Sequence, residues 1–166
     1  MSLSDLEGLY VPAIAVLAVA AGVIAGLLFA FSNFVMQSLD DLEPSAAILA
    51  MQSINRRIVN PIFLLFFGGA ALTSLGVVCY LFVCDDRGPR ELWAASAGAL
   101  YLVGVIGTTA LRNIPMNNRL DAASASAGNA AETWSGYRGP WVRANTVRTL
   151  AAVASAAAAV IALTQG

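Results

Sequence analysis

Apolar residues along this chain do not recur at the period of a surface helix or a half-buried strand. They come in long runs broken by short polar stretches. One run extends from about Val11 to Met36, a second from about Ile58 to Cys84 and a third from about Leu92 to Leu111. Crossing a bilayer takes about 20 helical residues, and each of these runs supplies them. A fourth run, Leu150 to Leu163, is mostly alanine and too short by itself; extended back to Arg143 it completes a fourth span. Spans at about 11–36, 58–84, 92–111 and 143–164 predict an all-α fold, an integral membrane four-helix bundle forming one transmembrane domain over residues 1–166. Gly22, Gly26, Gly68, Gly69, Gly98 and Gly104 are expected to let neighbouring helices approach closely.

The connections add detail. Pro44 suits the first turn of a helix, and Ser45 to Ile58 repeats apolar residues helically through Ala46, Leu49 and Ile54. This helix is expected to run on through Pro61, bent there, into the second span. A continuous helix from Pro44 to Cys84 would measure about 60 Å at 1.5 Å per residue, twice the hydrocarbon thickness. Part of it must therefore stand outside the bilayer, as a cytoplasmic extension of helix 2. Ala122 to Ala131 reads as a small-residue linker, and Gly139–Pro140 as the start of the last helix. Met1 to Tyr10 carries Asp5 and Glu7 but no basic residue. A secretory signal needs a positive leading segment, so the first run is expected to be retained as a span.

Composition narrows the function classes. Apolar residues make up 58% of the chain and charged residues 11%, against about 25% charged in soluble domains. A formal charge of −1 offers nucleic acid no basic surface, so no nucleic-acid partner is expected. All nine basic residues are arginine, and histidine is absent. Histidine zinc sites, histidine-ligated haem and Ser–His or Cys–His nucleophile pairs are thereby excluded within the chain. Arg56, Arg57, Arg112, Arg119, Arg138, Arg143 and Arg148 fall on one side of the predicted bundle, against Arg87 and Arg90 on the other. The positive-inside rule then places the first and third loops in the cytoplasm and both termini outside the cell (plasma) membrane. Cys79 and Cys84, five apart on one helix, point in different directions and read as free thiols. Asp40, Asp41 and Glu43 form an acidic turn, read as solvated rather than as a cation site.

Polar residues are costly in a bilayer and usually face the bundle interior or a cavity. Here they gather at the cytoplasmic ends of all four spans: Ser32, Asn33 and Gln37; Gln52, Arg56 and Asn60; Arg112, Asn113, Asn117 and Asn118; Trp141, Asn145 and Arg148. Arg148 should lie about one turn inside the hydrocarbon, where an unpaired arginine is disfavoured by at least about 2.5 kcal/mol. It therefore calls for a partner or a ligand. Trp134, Tyr137 and Trp141 serve equally well as an interfacial aromatic belt or as stacking groups.

The strings Arg112-Asn113-Ile114-Pro115-Met116-Asn117-Asn118-Arg119-Leu120 and Trp134…Trp141…Asn145-Thr146-Val147-Arg148-Thr149 resemble those of the anthrone oxygenase-like family of small four-helix integral membrane proteins. Gly26-Leu27-Leu28-Phe29-Ala30-Phe31 and Met51…Ile54-Asn55…Pro61 fit the same pattern. Some members of that family oxidise anthrones to anthraquinones with O₂ and no known metal or flavin. The resemblance thus implies a polyketide-type aromatic substrate and no cofactor. Matching residues are Asn113, Pro115, Asn117, Asn145, Arg148 and Trp134; where the family often carries histidine before the Val-Arg pair, this chain has Thr146.

Two functions emerge as expectations. In the first, Arg112, Asn113, Asn117, Asn145 and Arg148 are catalytic donors to a developing oxyanion. Asn33, Asn60, Trp134, Tyr137 and Trp141 then contact a lipophilic aromatic substrate arriving from the lipid bilayer, no metal takes part, and Tyr137 or Asp121 accepts the proton. In the second, the same slot belongs to a non-catalytic carrier or binding protein, or to a subunit of a membrane complex. Homo-oligomerisation is compatible with either.

Overall fold

The computed structural model describes residues 3–83, 87–125 and 128–165, which are helical with short connections and no strand. Four helices are long and apolar enough to cross a membrane: α1 (Gly8–Asp40), α3 (Pro61–Val83), α4 (Pro89–Asp121) and α5 (Ala130–Thr164). A shorter helix, α2 (Pro44–Ile58), lies between the first two. The bundle closes as a ring, α1 against α5 and α3, and α4 against α5 and α3. Helices pair their backbone groups internally, as a hydrocarbon solvent demands.

Two apolar clusters form the interior. The larger fills the body of the bundle around Ile14, Leu17, Ile24, Leu28, Val77, Tyr101, Val105 and the alanine face of α5. Alanine serves the packing here: α5 offers little side-chain volume, so its neighbours come close. Two glycines extend this on α4. A Cβ on Gly98 would sit 2.7 Å from the Ser74 carbonyl oxygen, and one on Gly104 would collide with Ala151. Gly22, Gly26, Gly68 and Gly69, also expected at helix contacts, have open space where a side chain would begin. The Ser155 hydroxyl donates to the Ala97 carbonyl at 2.8 Å and stitches α5 to α4. Toward the far end Tyr10 stacks on Tyr80, and Arg90 donates to the Gln165 carbonyl.

The smaller cluster caps the opposite end. Met36 and Leu39 of α1, Ala47, Ile48 and Met51 of α2, Leu120 of α4, and Trp134, Tyr137 and Trp141 of α5 form it. The extension expected before the second span is thus helix α2, folded against this cap. It does not continue into α3. Proline disfavours helical backbone in the residue before it, and Pro61 lacks an N–H to donate back. The helix ends at Val59 (φ −79°, ψ 73°). Asn60 then caps α3, its Oδ1 accepting the Phe63 N–H at 3.0 Å.

Two other boundaries differ from the sequence expectation. The third span does not end at Leu111 but runs to Asp121, through wide π-helical turns at Leu100–Gly107 and Thr109–Asn113. The second of these ends two residues before Pro115, and a π turn absorbs the misfit of a residue that cannot donate. The fourth helix starts at Ala130, not at Gly139–Pro140, and Pro140 lies inside it. The residue four before Pro140 is Gly136, so the carbonyl left without a partner carries no side chain to crowd it. Of the cysteines, Cys79 is free and exposed, and Cys84 lies outside the described residues.

Candidate functional site

Where the two apolar clusters meet, α1, α2, α3, α4 and α5 enclose a cavity of about 270 Å³. Its walls are Leu27, Leu28 and Phe31 from α1, Met51, Ile54, Asn55 and Ile58 from α2, Phe63, Leu64 and Phe67 from α3, and Thr109, Asn113, Ile114 and Asn117 from α4. Trp141, Asn145 and Arg148 of α5 complete it, with Val59 at the α2–α3 break. Val59 and Ile114 line the cavity while being 62% and 47% exposed, which places its mouth beside that break.

The polar wall is built on one face of α5. Trp141, Asn145 and Arg148 recur at i, i+4 and i+7 and are all buried. Arg148 is held on three sides. Its Nη2 donates to Asn145 Oδ1 at 2.6 Å, its Nη1 donates to Thr109 Oγ1 at 3.2 Å, and its Cζ lies 5.6 Å from the Trp141 ring centroid. Asn145 in turn donates to the Leu28 carbonyl and to Ser32 Oγ, each at 2.7 Å. Asn145 therefore fixes α5 on α1 and orients the guanidinium from the same amide. Among the described residues, Arg148 is the only charged group on the cavity wall.

Asn113 and Asn117 differ in state. Asn117 Oδ1 accepts from Trp141 Nε1 at 2.8 Å and from the Tyr137 hydroxyl at 3.0 Å. Asn113 is 1% exposed, and among the described residues neither its Oδ1 nor its Nδ2 has a hydrogen-bond partner; Arg148 Nε is likewise buried and unmatched.

Of the residues expected from sequence to form the site, Asn113, Asn117, Asn145, Arg148 and Trp141 thus share the cavity. Trp134 and Tyr137 stand behind it: Trp134 Nε1 donates to Asp40 Oδ1 at 2.9 Å, and Tyr137 anchors Asn117. Arg112 and Asn33 are exposed and do not line it. Asn60 is also exposed, serving as the α3 cap. Asp121 pairs with Arg56 at 2.8 Å on the surface, and Asp40 lies 3.3 Å from Arg138, so the acidic turn is partly engaged by α5. Neither Tyr137 nor Asp121, the two proton acceptors expected from sequence, lines the cavity.

Phe31, Met51, Asn55, Phe63, Phe67 and Thr109 also form the wall, and polarity alone does not point to them. For α2 a signal does exist. Polarity groups Gln52, Arg56 and Asn60, but the apolar stripe Ala47, Ile48 and Met51 defines the inward face and carries Asn55 with it. Gln52 instead reaches the Leu120 and Ala123 carbonyls at 2.8 and 3.0 Å, tying α2 to the end of α4.

Fold and site together define a helical membrane protein with an amphiphilic cavity, aromatic on one side and amide-and-guanidinium on the other. A family model described as anthrone oxygenase matches residues 62–158, more than half of the chain, and the protein belongs to that family. No curated protein and no solved structure matches the chain.

Proposed function

We propose that this protein is a membrane oxygenase that converts a lipophilic polycyclic phenol-type ketone, such as an anthrone, to the quinone with molecular oxygen. The observation that carries the reading is the cavity wall itself. Aromatic and aliphatic side chains form a slot for a flat apolar molecule, and one arginine with amide neighbours forms its single polar edge. Membership of the anthrone oxygenase family supports the same reaction class.

The chemistry suits such a wall. The central CH₂ of an anthrone lies between two aryl rings and across the ring from a ketone. Loss of one proton puts the negative charge on the ketone oxygen and leaves an electron-rich ring system. That anion gives its electrons to O₂ as a carbon–oxygen bond forms, and protonation yields a hydroperoxide. Loss of water from the hydroperoxide leaves a second ketone, so CH₂ and O₂ become C=O and H₂O with no further reductant. The protein's task is to stabilise the oxyanion, and preorganised donors in a water-poor site do this well. Arg148 is the charged donor, and water at the cavity mouth takes the proton. The wall's polar groups are amides, a hydroxyl, an indole and a guanidinium, a poor set of metal ligands. The polar end faces the cytoplasm, and substrate enters from the bilayer beside Val59 and Ile114.

The test is purified protein with an anthrone under air and under nitrogen, compared with detergent alone. Oxygen-dependent conversion faster than in detergent is expected, unaffected by chelators. Arg148→Gln should slow turnover roughly a hundredfold to a thousandfold, far more than it weakens substrate binding. Oxidation no faster than in empty micelles, across several anthrones, overturns the reading in favour of a carrier. Stoichiometric metal or haem in active protein overturns its cofactor-free part.

A further inference from the structure

A buried amide with both ends unmatched is rare, because an unmet donor or acceptor in a low-dielectric interior carries its full desolvation cost. Asn113 is such a group. It is 1% exposed, its Oδ1 and Nδ2 both lack partners among the described residues, and it lines the cavity. Exchanging the two amide atoms changes nothing: either orientation leaves one acceptor and one donor to be met. Arg148 Nε and Asn55 Nδ2, on residues of the same wall, add two further unmet donors. The amides of Asn145 and Asn117 are engaged at their oxygens, the first by Arg148 and the second by Tyr137 and Trp141. Asn113 Oδ1 is therefore an acceptor without a donor, and a turn of its side chain into the cavity it lines presents it to a ligand.

We propose that Asn113 is the specificity-determining residue of the cavity, accepting a phenolic hydroxyl of the ligand on Oδ1 while its Nδ2 and Arg148 Nε donate to ligand oxygens. The site then selects hydroxylated aromatic ketones over equally flat ones that lack a donor. The reason is the pattern of unmet groups. A ligand with acceptors alone satisfies Nδ2 and Nε but leaves Oδ1 buried and bare. A pure hydrocarbon satisfies none of these groups. Sites built to bond a hydroxyl reject the analogue without it far more strongly than apolar pockets distinguish shapes. The inference rests on the cavity being the substrate site, and does not require that turnover occur there.

Binding, not oxidation, is the measurement. An anthraquinone with one free phenolic hydroxyl remote from its ketones, the methyl ether of that compound, and unsubstituted anthraquinone would be titrated against the full chain in lipid nanodiscs, with quenching of tryptophan fluorescence as the signal. None of the three can be oxidised at a CH₂. Wild-type protein should bind the phenol roughly tenfold or more tightly than the methyl ether. In Asn113→Leu, which has similar bulk and no polar atoms, that preference should vanish. The same variant should bind unsubstituted anthraquinone at least as tightly as wild type, which a misfolded protein would not do. Equal affinities for phenol and ether in wild type overturn the proposal, as does a preference that survives in Asn113→Leu. Discrimination through Asn113 without any oxidation of anthrones sustains this inference and overturns the oxygenase reading alone.

Discussion

Asn145 uses every polar atom of its side chain. Two hydrogen bonds from Nδ2 go to α1 and one from Arg148 arrives at Oδ1. Replacing it by leucine removes both bonds to α1 and leaves Arg148 Nη2 unmatched inside the bundle. The expected cost is about 1–3 kcal/mol, read as a lower midpoint of denaturation in detergent. Arg112 provides the contrast. It is exposed, touches no wall of the cavity, and Arg112→Gln should change stability by no more than about 0.5 kcal/mol and leave turnover intact. A large loss of activity in Arg112→Gln, with binding unchanged, would place chemistry outside the cavity. These neighbours explain why the site is half legible from sequence. On α5 the helix is regular, so the spacing of Trp141, Asn145 and Arg148 identifies one face correctly. Around Arg112 and Asn113 the backbone is π-helical, and polarity alone does not say which of two adjacent residues turns inward.

At the level of helices, prolines decide where elements end, and context decides how. Pro61 stops α2 because the residue before it is an asparagine able to cap α3, and the chain gains a mouth for the cavity at that break. Pro115 and Pro140 stop nothing. The first comes after a π turn, and the second has a glycine at the one carbonyl that loses its partner. All three look like interruptions in the sequence, since the run of apolar residues stops or thins near each. Which interruption becomes a break depends on capping and packing that no run of residues displays. The same limit applies to α2, whose burial against Leu120 and Trp134 is a tertiary fact. Asn60→Ala should remove the α3 cap and cost about 1 kcal/mol of stability. Because Asn60 does not line the cavity, ligand affinity should hold. A fall in affinity with unchanged thermal stability would return Asn60 to the site.

The whole molecule joins two unlike apolar bodies. One is a bundle with an alanine face that presents exposed Leu65, Leu72 and Val103 outward, as lipid contact requires, and the other is a cap rich in aromatic residues and flanked by ion pairs. Such an arrangement has a polarity across the membrane, and arginine should set its sense. Counting every arginine includes Arg148, which is buried against Asn145 and Thr109 and so serves the cavity rather than the topology. Without it, Arg56, Arg57, Arg112, Arg119, Arg138 and Arg143 remain at the cavity end, against Arg87 and Arg90 at the other. Arg56 and Arg138 lie beside acids, but carboxylates contribute little to orientation, so the bias stands. The cavity end is therefore expected to face the cytoplasm. Ser45 and Thr164 are both exposed and lie at opposite ends of the bundle. In a chain with Cys79→Ala and Cys84→Ala, a cysteine replacing Ser45 should react with a membrane-impermeant maleimide only after the cells are opened. One replacing Thr164 should react in intact cells. Reaction of both from the same side would contradict the four-span arrangement, and the reverse pattern would invert the molecule, placing the cavity mouth at the outer leaflet.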